Sequence, residues 1–181
     1  MQGRQVVCVV LMVIVVIGVG FGAITIMTYN DLVTSRLAAE NDWTHIQIQF
    51  ERKLELIPQL VEVVENYTEY EQQTLTLITE LRTQWLSLNG TPSEQANISS
   101  QLNMAFNTLF VAIQENYPTL YADILYQELF DEITGTENRI TQAKLDYNDA
   151  VTAYNTKLAK FPGNLIGGMF GMQLMILYAS G

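Results

Sequence analysis

Residues 6–27 read VVCVVLMVIVVIGVGFGAITIM, an uncharged run of 22 residues close to the start of the chain. A helix rises about 1.5 Å per residue, so this run would reach about 33 Å, close to the roughly 30 Å hydrocarbon layer of a bilayer. The run is longer than the apolar segment of roughly 7–15 residues in a cleaved signal peptide. We therefore predict one permanent transmembrane helix at residues 6–27, preceded by a short head at residues 1–5.

The charges that flank this run indicate its orientation. Arg4 precedes the run, whereas the residues just after it carry one base, Arg36, and two acids, Asp31 and Glu40. Positive residues tend to stay on the cytoplasmic side of a membrane. The sequence therefore predicts a single-pass protein of the cell membrane, with its N-terminus in the cytoplasm and its body outside. Three glycosylation sequons, a pattern also expected by chance, would lie on that side: Asn66, Asn89 and Asn97.

Composition limits what the rest of the chain can bind. Of the 19 acidic and nine basic residues, only Arg4 precedes the apolar run, so the remainder carries a net charge of −11. Such a surface repels phosphate backbones, which argues against nucleic-acid binding.

Residues 28–162 are enough for one domain with its own core. An apolar tail, rich in glycine and methionine, follows at residues 163–181.

The spacing of apolar residues predicts helices throughout the body. From Trp43 to Tyr67 they recur in steps of three and four, the pattern of one buried helix face. Pro58 interrupts this pattern, and it marks either a kink in one long helix or the start of a second helix. A second seam, predicted for the last helix, comprises Tyr126, Leu129, Ile133, Thr136, Ile140, Ala143, Tyr147, Ala150 and Tyr154.

Two local signals separate these helices. Asn89-Gly90 breaks one apolar stripe, and Thr91-Pro92-Ser93-Glu94 then supplies a capping residue, a proline at the first helical position and an acid. Tyr117-Pro118 ends the next stripe. Since no segment has the two-residue period of a strand, the predicted fold class is all-α, a bundle of long helices.

Several distinctive motifs follow one another between residues 29 and 171. They are Tyr29-Asn30-Asp31-Leu32-Val33, Trp43, Leu56-Ile57-Pro58-Gln59-Leu60-Val61-Glu62, Glu115-Asn116-Tyr117-Pro118, Thr136-Glu137-Asn138-Arg139-Ile140, Tyr147-Asn148, Tyr154-Asn155 and Phe161-Pro162-Gly163-Asn164-Leu165-Ile166. These motifs and their order resemble those of the LemA family of membrane proteins. The resemblance implies an N-terminal transmembrane helix followed by an up-and-down four-helix bundle in a cell envelope. It implies no enzymatic activity and supplies no defined binding site.

The side chains themselves offer little catalytic chemistry. His45 is the only histidine and Cys8 the only cysteine, so a metal set of several histidines and an intrachain disulfide are both excluded. The many carboxylates are best explained as solvated helix faces. We therefore expect neither an enzyme nor a cofactor or metal site.

Polar residues beside the last seam form a candidate layer. Asn148 and Asn155 follow Tyr147 and Tyr154 and are seven residues apart on the same helix. Asparagine at a packed edge can fix the register of helices, because its amide needs a partner. The layer either sets packing inside the bundle or meets a neighbouring subunit. Its predicted members are Glu137, Asn138, Arg139, Asn148 and Asn155.

The two apolar ends of the chain contain the candidate membrane and oligomer contacts. Gly18 and Gly22 are four residues apart, a spacing that lets transmembrane helices approach closely. The tail from Leu165 is too short to span a bilayer, and it could pack on the bundle, enter the membrane interface or dock on another copy. With an even helix count, Lys157 and Lys160 would lie at headgroup level. The tail candidates are Leu165, Ile166, Met169, Phe170 and Met172.

These features favour a membrane-anchored structural protein that self-associates and organises or remodels the membrane. Its expected partners are membrane lipid and further copies of the chain. The alternative is an envelope binding module or adaptor that recruits a membrane-protein partner, such as a membrane protease. This alternative predicts a lined pocket between helices.

Overall fold

A computed structural model describes residues 2–68, 70–88 and 92–178, with nothing assigned to the side chains of residues 2–7, 9 and 93. Asn89, Gly90 and Thr91, and therefore the predicted cap, lie outside the described residues. Every regular element within these ranges is a helix, so the predicted all-α class is confirmed. The helices are α1 (Gln2–Glu65), α2 (Gln72–Ser87), α3 (Pro92–Asn116), α4 (Pro118–Tyr121), α5 (Ile124–Ala159) and α6 (Gly163–Met169).

The predicted count of four helices after the transmembrane helix is not confirmed, because the described residues form six helices in total. The apolar run and the first body helix are a single helix, α1. Tyr117 lies outside the helical region, with φ −128° and ψ 65°, and Pro118 then starts the one-turn helix α4. The tail contributes α6.

The helix α1 runs without a break for 64 residues, through both Met27 and Pro58. Pro58 has no N–H group, so the carbonyl of Leu54, four residues earlier, loses its helical donor. The Nε–H of Arg82 on α2 donates to that carbonyl oxygen instead, at 3.0 Å. The structure therefore decides between the two alternatives for Pro58: it lies inside one helix, and a side chain replaces the missing hydrogen bond.

One helix in the described part of the chain, the apolar start of α1, has the length and composition needed to cross a membrane. None of its most apolar window is buried against other residues. The side chains from Val10 to Val19 and at Met27 are all more than half exposed, apart from the glycine Gly18 among them.

The chain divides into two compact units, which we describe separately. The first unit comprises Met1–Glu40 and Asp149–Met175, and the second comprises Asn41–Asn148 and Ile176–Gly181. In the first unit, Leu32 of α1 packs against Tyr154 and Leu158 of α5, and the side chains of Met172 and Met175 lie against this cluster.

Glycines shape the end of the first unit. A Cβ atom at Gly163 would overlap the backbone carbonyl of Lys157, so only glycine allows α6 to approach α5 this closely. At the other end of α6, the N–H groups of Gly171 and Met172 donate to the carbonyls of Gly168 and Gly167. This is a Schellman motif, with Gly171 at a φ of 67°, and it directs the chain into the tail.

The core of the second unit is larger than that of the first. Phe50 of α1 stacks on Trp85 of α2, with ring centroids 4.0 Å apart. From Tyr126 to Tyr147 the seam of α5 is buried as its spacing predicts, apart from Ala143, which is half-buried. Burial of such side chains supplies most of the favourable free energy of folding.

Candidate functional site

A buried lysine lies where three helices of the second unit meet. Lys53 on α1 is only 2% exposed. Its Nζ donates to Oδ1 of Asn103 on α3 at 2.6 Å and to Oε2 of Glu137 on α5 at 2.7 Å. Asn103 Nδ2 donates to the other Glu137 oxygen at 2.8 Å, which closes a three-membered ring of side chains. This lysine centre ties α1, α3 and α5 together.

Burial and charge act in opposite directions on this lysine. Desolvation lowers the pKa of Lys53 below its ordinary value, and the carboxylate of Glu137 only partly offsets that shift. The ammonium group also lies 4.8 Å from the centroid of the Phe106 ring, a favourable cation–π geometry. The cation is thus held by a carboxylate, an amide and an aromatic face.

The lysine centre opens on one side into a groove of about 390 Å³. Phe106, Phe110 and Phe130 form its apolar wall, and Phe110 meets Phe130 edge to face at 4.8 Å between centroids. Small-molecule sites in proteins combine an apolar wall with a few convergent polar groups. The groove has this composition, with the polar groups of Lys53 and Glu137 at one end.

A second lysine lies in the same unit. The Nζ of Lys144 donates to the Ser99 hydroxyl at 3.2 Å and lies over the rings of Phe50 and Tyr178, at 5.6 and 4.9 Å from their centroids. Burial lowers the pKa of Lys144, and burial raises the pKa of Tyr178 to about 12. Both shifts reflect groups removed from water.

Asn148 and Tyr147 hold the end of the tail in the second unit. Asn148 Nδ2 donates to the Tyr178 carbonyl at 3.2 Å, and the Tyr178 N–H donates to Asn148 Oδ1 at 2.8 Å. The Tyr147 hydroxyl donates to the Ile176 carbonyl at 2.8 Å. The side-chain amide thus pairs with a peptide group as a neighbouring strand would.

Asn155 and Tyr154 make the same contacts in the first unit. Asn155 Nδ2 donates to the Met175 carbonyl and Asn155 Oδ1 accepts from the Met175 N–H, both at 2.9 Å. The Tyr154 hydroxyl donates to the Gln173 carbonyl at 3.0 Å. Each Tyr-Asn pair therefore satisfies three backbone groups of the tail.

The asparagines are seven residues apart in the sequence, and their tail partners, Met175 and Tyr178, are three residues apart. The sequence analysis missed this role for the Tyr-Asn pairs. The available signal was the three-residue period of the least exposed tail residues, Met172, Met175 and Tyr178.

The structure does not gather the predicted polar layer into one place. Glu137 belongs to the lysine centre, whereas Asn138 is exposed and the Arg139 guanidinium lies 3.7 Å from the exposed carboxylate of Glu132. Asn148 and Asn155 bind the tail instead. Sequence analysis also missed Lys53, although it is three residues from Phe50 and four from Ile57 and so lies on the buried face.

The predicted membrane and oligomer contacts are mostly exposed. No atom would lie within 4 Å of a Cβ added at Gly18 or Gly22, apart from their own helix backbone and chain neighbours. In the tail, Leu165, Met169 and Phe170 are exposed, whereas Ile166 is buried and Met172 is partly buried against the core of the first unit.

Catalytic or metal-binding groupings are sparse in the described part of the chain. Within it, no three His, Cys, Asp or Glu side chains lie close enough together to hold a metal ion. His45 is exposed, and its Nε2 lies 3.4 Å from the amide nitrogen of Asn41. The chemistry that the lysine centre offers is the recognition of polar groups at the end of an apolar groove.

Comparisons with known proteins agree with the motifs. The sequence model of the LemA family matches residues 42–180. Protein LemA of Metamycoplasma hominis is 25% identical over 137 residues, which cover 76% of this chain and 62% of that protein. Magnetosome proteins MamQ 1 and MamQ 2 of Paramagnetospirillum magneticum are each 23% identical over 188 residues, covering 90% of this chain and 69% of each relative. This chain thus spans less than two thirds of the mycoplasma protein's length.

Proposed function

Because this chain belongs to the LemA family, we propose that it is a membrane-anchored, non-enzymatic structural protein that self-associates and organises or remodels the membrane. In this proposal residues 6–27 span the cell membrane once, with the N-terminus in the cytoplasm. The body lies outside the cytoplasm as an up-and-down helical bundle. Its partners are membrane lipid and further copies of the chain.

The observation that carries the proposal is the direct continuation of the apolar stretch into packed helix. In the first unit, α1 runs on from Met27 without a break, and its next turns are fixed to α5. Lys157 Nζ contacts Asp31 Oδ1 and Ser35 Oγ, each at 2.7 Å. A protein that merely displays a soluble domain needs only a flexible linker, whereas a structural protein benefits from a fixed joint.

Self-association is supported by the surface of the apolar stretch. Gly18 and Gly22 lie on one helix face with open space around them, and small residues four apart allow two helices to approach closely in a membrane. Large apolar side chains flank this face, among them Val15 and Val19. Both features suit contact between copies of α1.

A specific observation also favours the alternative function. The groove beside the lysine centre, with its wall of Phe106, Phe110 and Phe130, resembles a pocket for a ligand or a partner's side chain. An envelope binding module or an adaptor for a membrane protease would use such a surface. This function predicts a monomer or dimer with an occupied groove.

Native mass measurement of the full chain in lipid nanodiscs separates the two functions. We expect a closed homo-oligomer for the wild type and a smaller species for the variant carrying both Gly18→Leu and Gly22→Leu. Gly20→Leu is the matched control, because residue 20 lies on a different face of the helix, and it should leave the mass unchanged. A wild-type monomer carrying a bound small molecule would contradict self-association and support the binding module.

A further inference from the structure

A second groove, of about 380 Å³, lies within the first unit where the apolar run of α1 ends. One side is formed by α1 from Met27 to Leu32, and the other by the turn between α5 and α6. The lining combines apolar and charged side chains. It comprises Met27, Thr28, Asp31, Leu32, Lys157, Lys160, Phe161, Pro162 and Gly163.

The charges of this groove leave one cation in excess. Lys157 is paired with Asp31, at 2.7 Å. Lys160 forms no ion pair with any residue in the ranges that the structure describes. With one carboxylate and two ammonium groups, the lining carries a net charge of +1, in a protein whose total charge is −10. A singly charged anion would balance it.

Exposed apolar side chains lie on the turn between α5 and α6 and at the end of α6. Phe161, next to Lys160, is 81% exposed, the second most exposed large apolar side chain in the described ranges. The Phe170 ring packs against Tyr29 of α1 in a tilted arrangement, with ring centroids 4.6 Å apart, and Met169 is 62% exposed. Aromatic rings and lysines together are typical of the boundary between headgroups and acyl chains.

We propose that this groove binds an anionic phospholipid of the bilayer, with its phosphate at Lys160 and its acyl chain along Met27 and Phe161. The proposal rests on the membrane anchoring proposed above, because Met27 is the last residue of the apolar run. The segment from Lys160 to Phe170, which includes α6, is then a second membrane contact beside the transmembrane helix. The exposed rings insert into the boundary, and the free ammonium group pairs with a phosphate.

Spin-label depth measurements on the full chain in nanodiscs test the position of the turn. Cys8 is the only cysteine, so labelling the wild type reports on the apolar run. In a Cys8→Ser background, Phe161→Cys reports on the turn and Leu86→Cys, on exposed α2, serves as the aqueous control. We expect the label at 161 to be far less accessible to a water-soluble nickel chelate than the label at 86.

The labels distinguish failure of the inference from failure of the anchoring. If the label at Cys8 is immersed and the label at 161 is as accessible as the control, the groove is not at the membrane and the inference is overturned. If the label at Cys8 is also in water, the anchoring itself fails. Met169→Cys, at the end of α6, gives a second reporter on the same segment, in case the change at Phe161 perturbs folding.

Lipid titration tests the role of Lys160. We expect the chain to retain phosphatidylglycerol in preference to phosphatidylcholine during native mass measurement. Lys160→Gln should lower this preference by about fivefold, the effect of one lysine near a lipid surface. Arg52→Gln removes an exposed cation from the second unit and should leave it unchanged. Equal preference in wild type and Lys160→Gln, or displacement of the lipid by free inorganic phosphate, would overturn the proposal.

Discussion

Two lysine–carboxylate pairs in this chain have the same nitrogen–oxygen distance but differ in their exposure to solvent. Lys53 Nζ lies 2.7 Å from Glu137 in the second unit, and Lys157 Nζ lies 2.7 Å from Asp31 in the first. The Lys53 side chain is 2% exposed, whereas the Lys157 side chain is 42% exposed. Distance alone therefore says little about what each pair contributes.

The difference in exposure predicts different losses of stability when each ion pair is removed. A buried charge has lost its hydration, so removing its partner leaves a cost that nothing else offsets. An exposed pair is screened by water and salt, and its removal exposes both groups to solvent. We therefore expect the Lys53 pair to determine whether the second unit folds, and the Lys157 pair to adjust the joint between α1 and α5.

Removing the carboxylate of the buried pair should have the largest effect. Glu137→Gln leaves the buried Lys53 ammonium without a counter-ion and should lower the free energy of unfolding by about 3 kcal/mol. Chemical unfolding of the full chain in detergent micelles, followed by circular dichroism, measures the loss. The double variant Lys53→Met, Glu137→Gln removes the stranded charge and should recover much of it. A double variant no more stable than Glu137→Gln would contradict the argument.

Removing Arg82 should have an intermediate effect, because its side chain replaces the hydrogen bond that the Leu54 carbonyl loses at Pro58. Arg82 is half-buried, and its Nε–H donates to the Leu54 carbonyl. Arg82→Met leaves that carbonyl without a donor and should cost about 2 kcal/mol, in the same unfolding assay. Arg139→Met, at an exposed position, is the control and should change stability by less than about 0.5 kcal/mol. Equal effects at the two positions would show that Arg82 does not support the helix at Pro58.

The buried pair should also give the second unit a pH dependence. Because burial lowers the pKa of Lys53, the unfolded chain binds more protons at any pH between that lowered pKa and about 10.4. The free energy of unfolding should therefore rise with pH in this window. Lys144 also has a lowered pKa, but it is present in both wild type and Lys53→Met. The difference between their unfolding curves from about pH 7 to about pH 10 therefore isolates the contribution of Lys53 to the pH dependence. A difference that stays flat or falls with pH would contradict a buried cation at Lys53.

Removing the exposed pair should have the smallest effect. Lys157→Met deletes the contacts with Asp31 and Ser35 and should cost less than about 1 kcal/mol. Added salt should reduce the difference between wild type and this variant further, because exposed charges are screened. A loss as large as that of Glu137→Gln would mean that the joint of the first unit behaves as a buried pair.

The helices could be predicted because their signals are local. The three- and four-residue spacing of α5, Pro92 at the start of α3 and the apolar run each depend on a few neighbouring residues. The outcome at Pro58 could not be predicted, because the donor that replaces its hydrogen bond to the Leu54 carbonyl is Arg82, 28 residues away from Leu54.

The sites were harder to predict because their contacts join residues that are far apart in the sequence. The partners of Lys53 are 50 and 84 residues away in the chain, and a lone lysine beside an apolar stripe resembles an ordinary surface residue. The Tyr-Asn pairs were identified as unusual, but their partners are backbone groups of the tail, which no side-chain pattern specifies directly.

The proposed function depends on a membrane-spanning segment that continues without a linker into the packed part of the first unit. Peptide-level hydrogen–deuterium exchange of the full chain in nanodiscs measures this continuity. We expect slow exchange without interruption from residue 10 to residue 40, since bilayer burial protects one part and packing on α5 protects the next. A fast-exchanging segment near residues 28–31 would contradict the fixed joint, and fast exchange across residues 10–27 would contradict the membrane span itself.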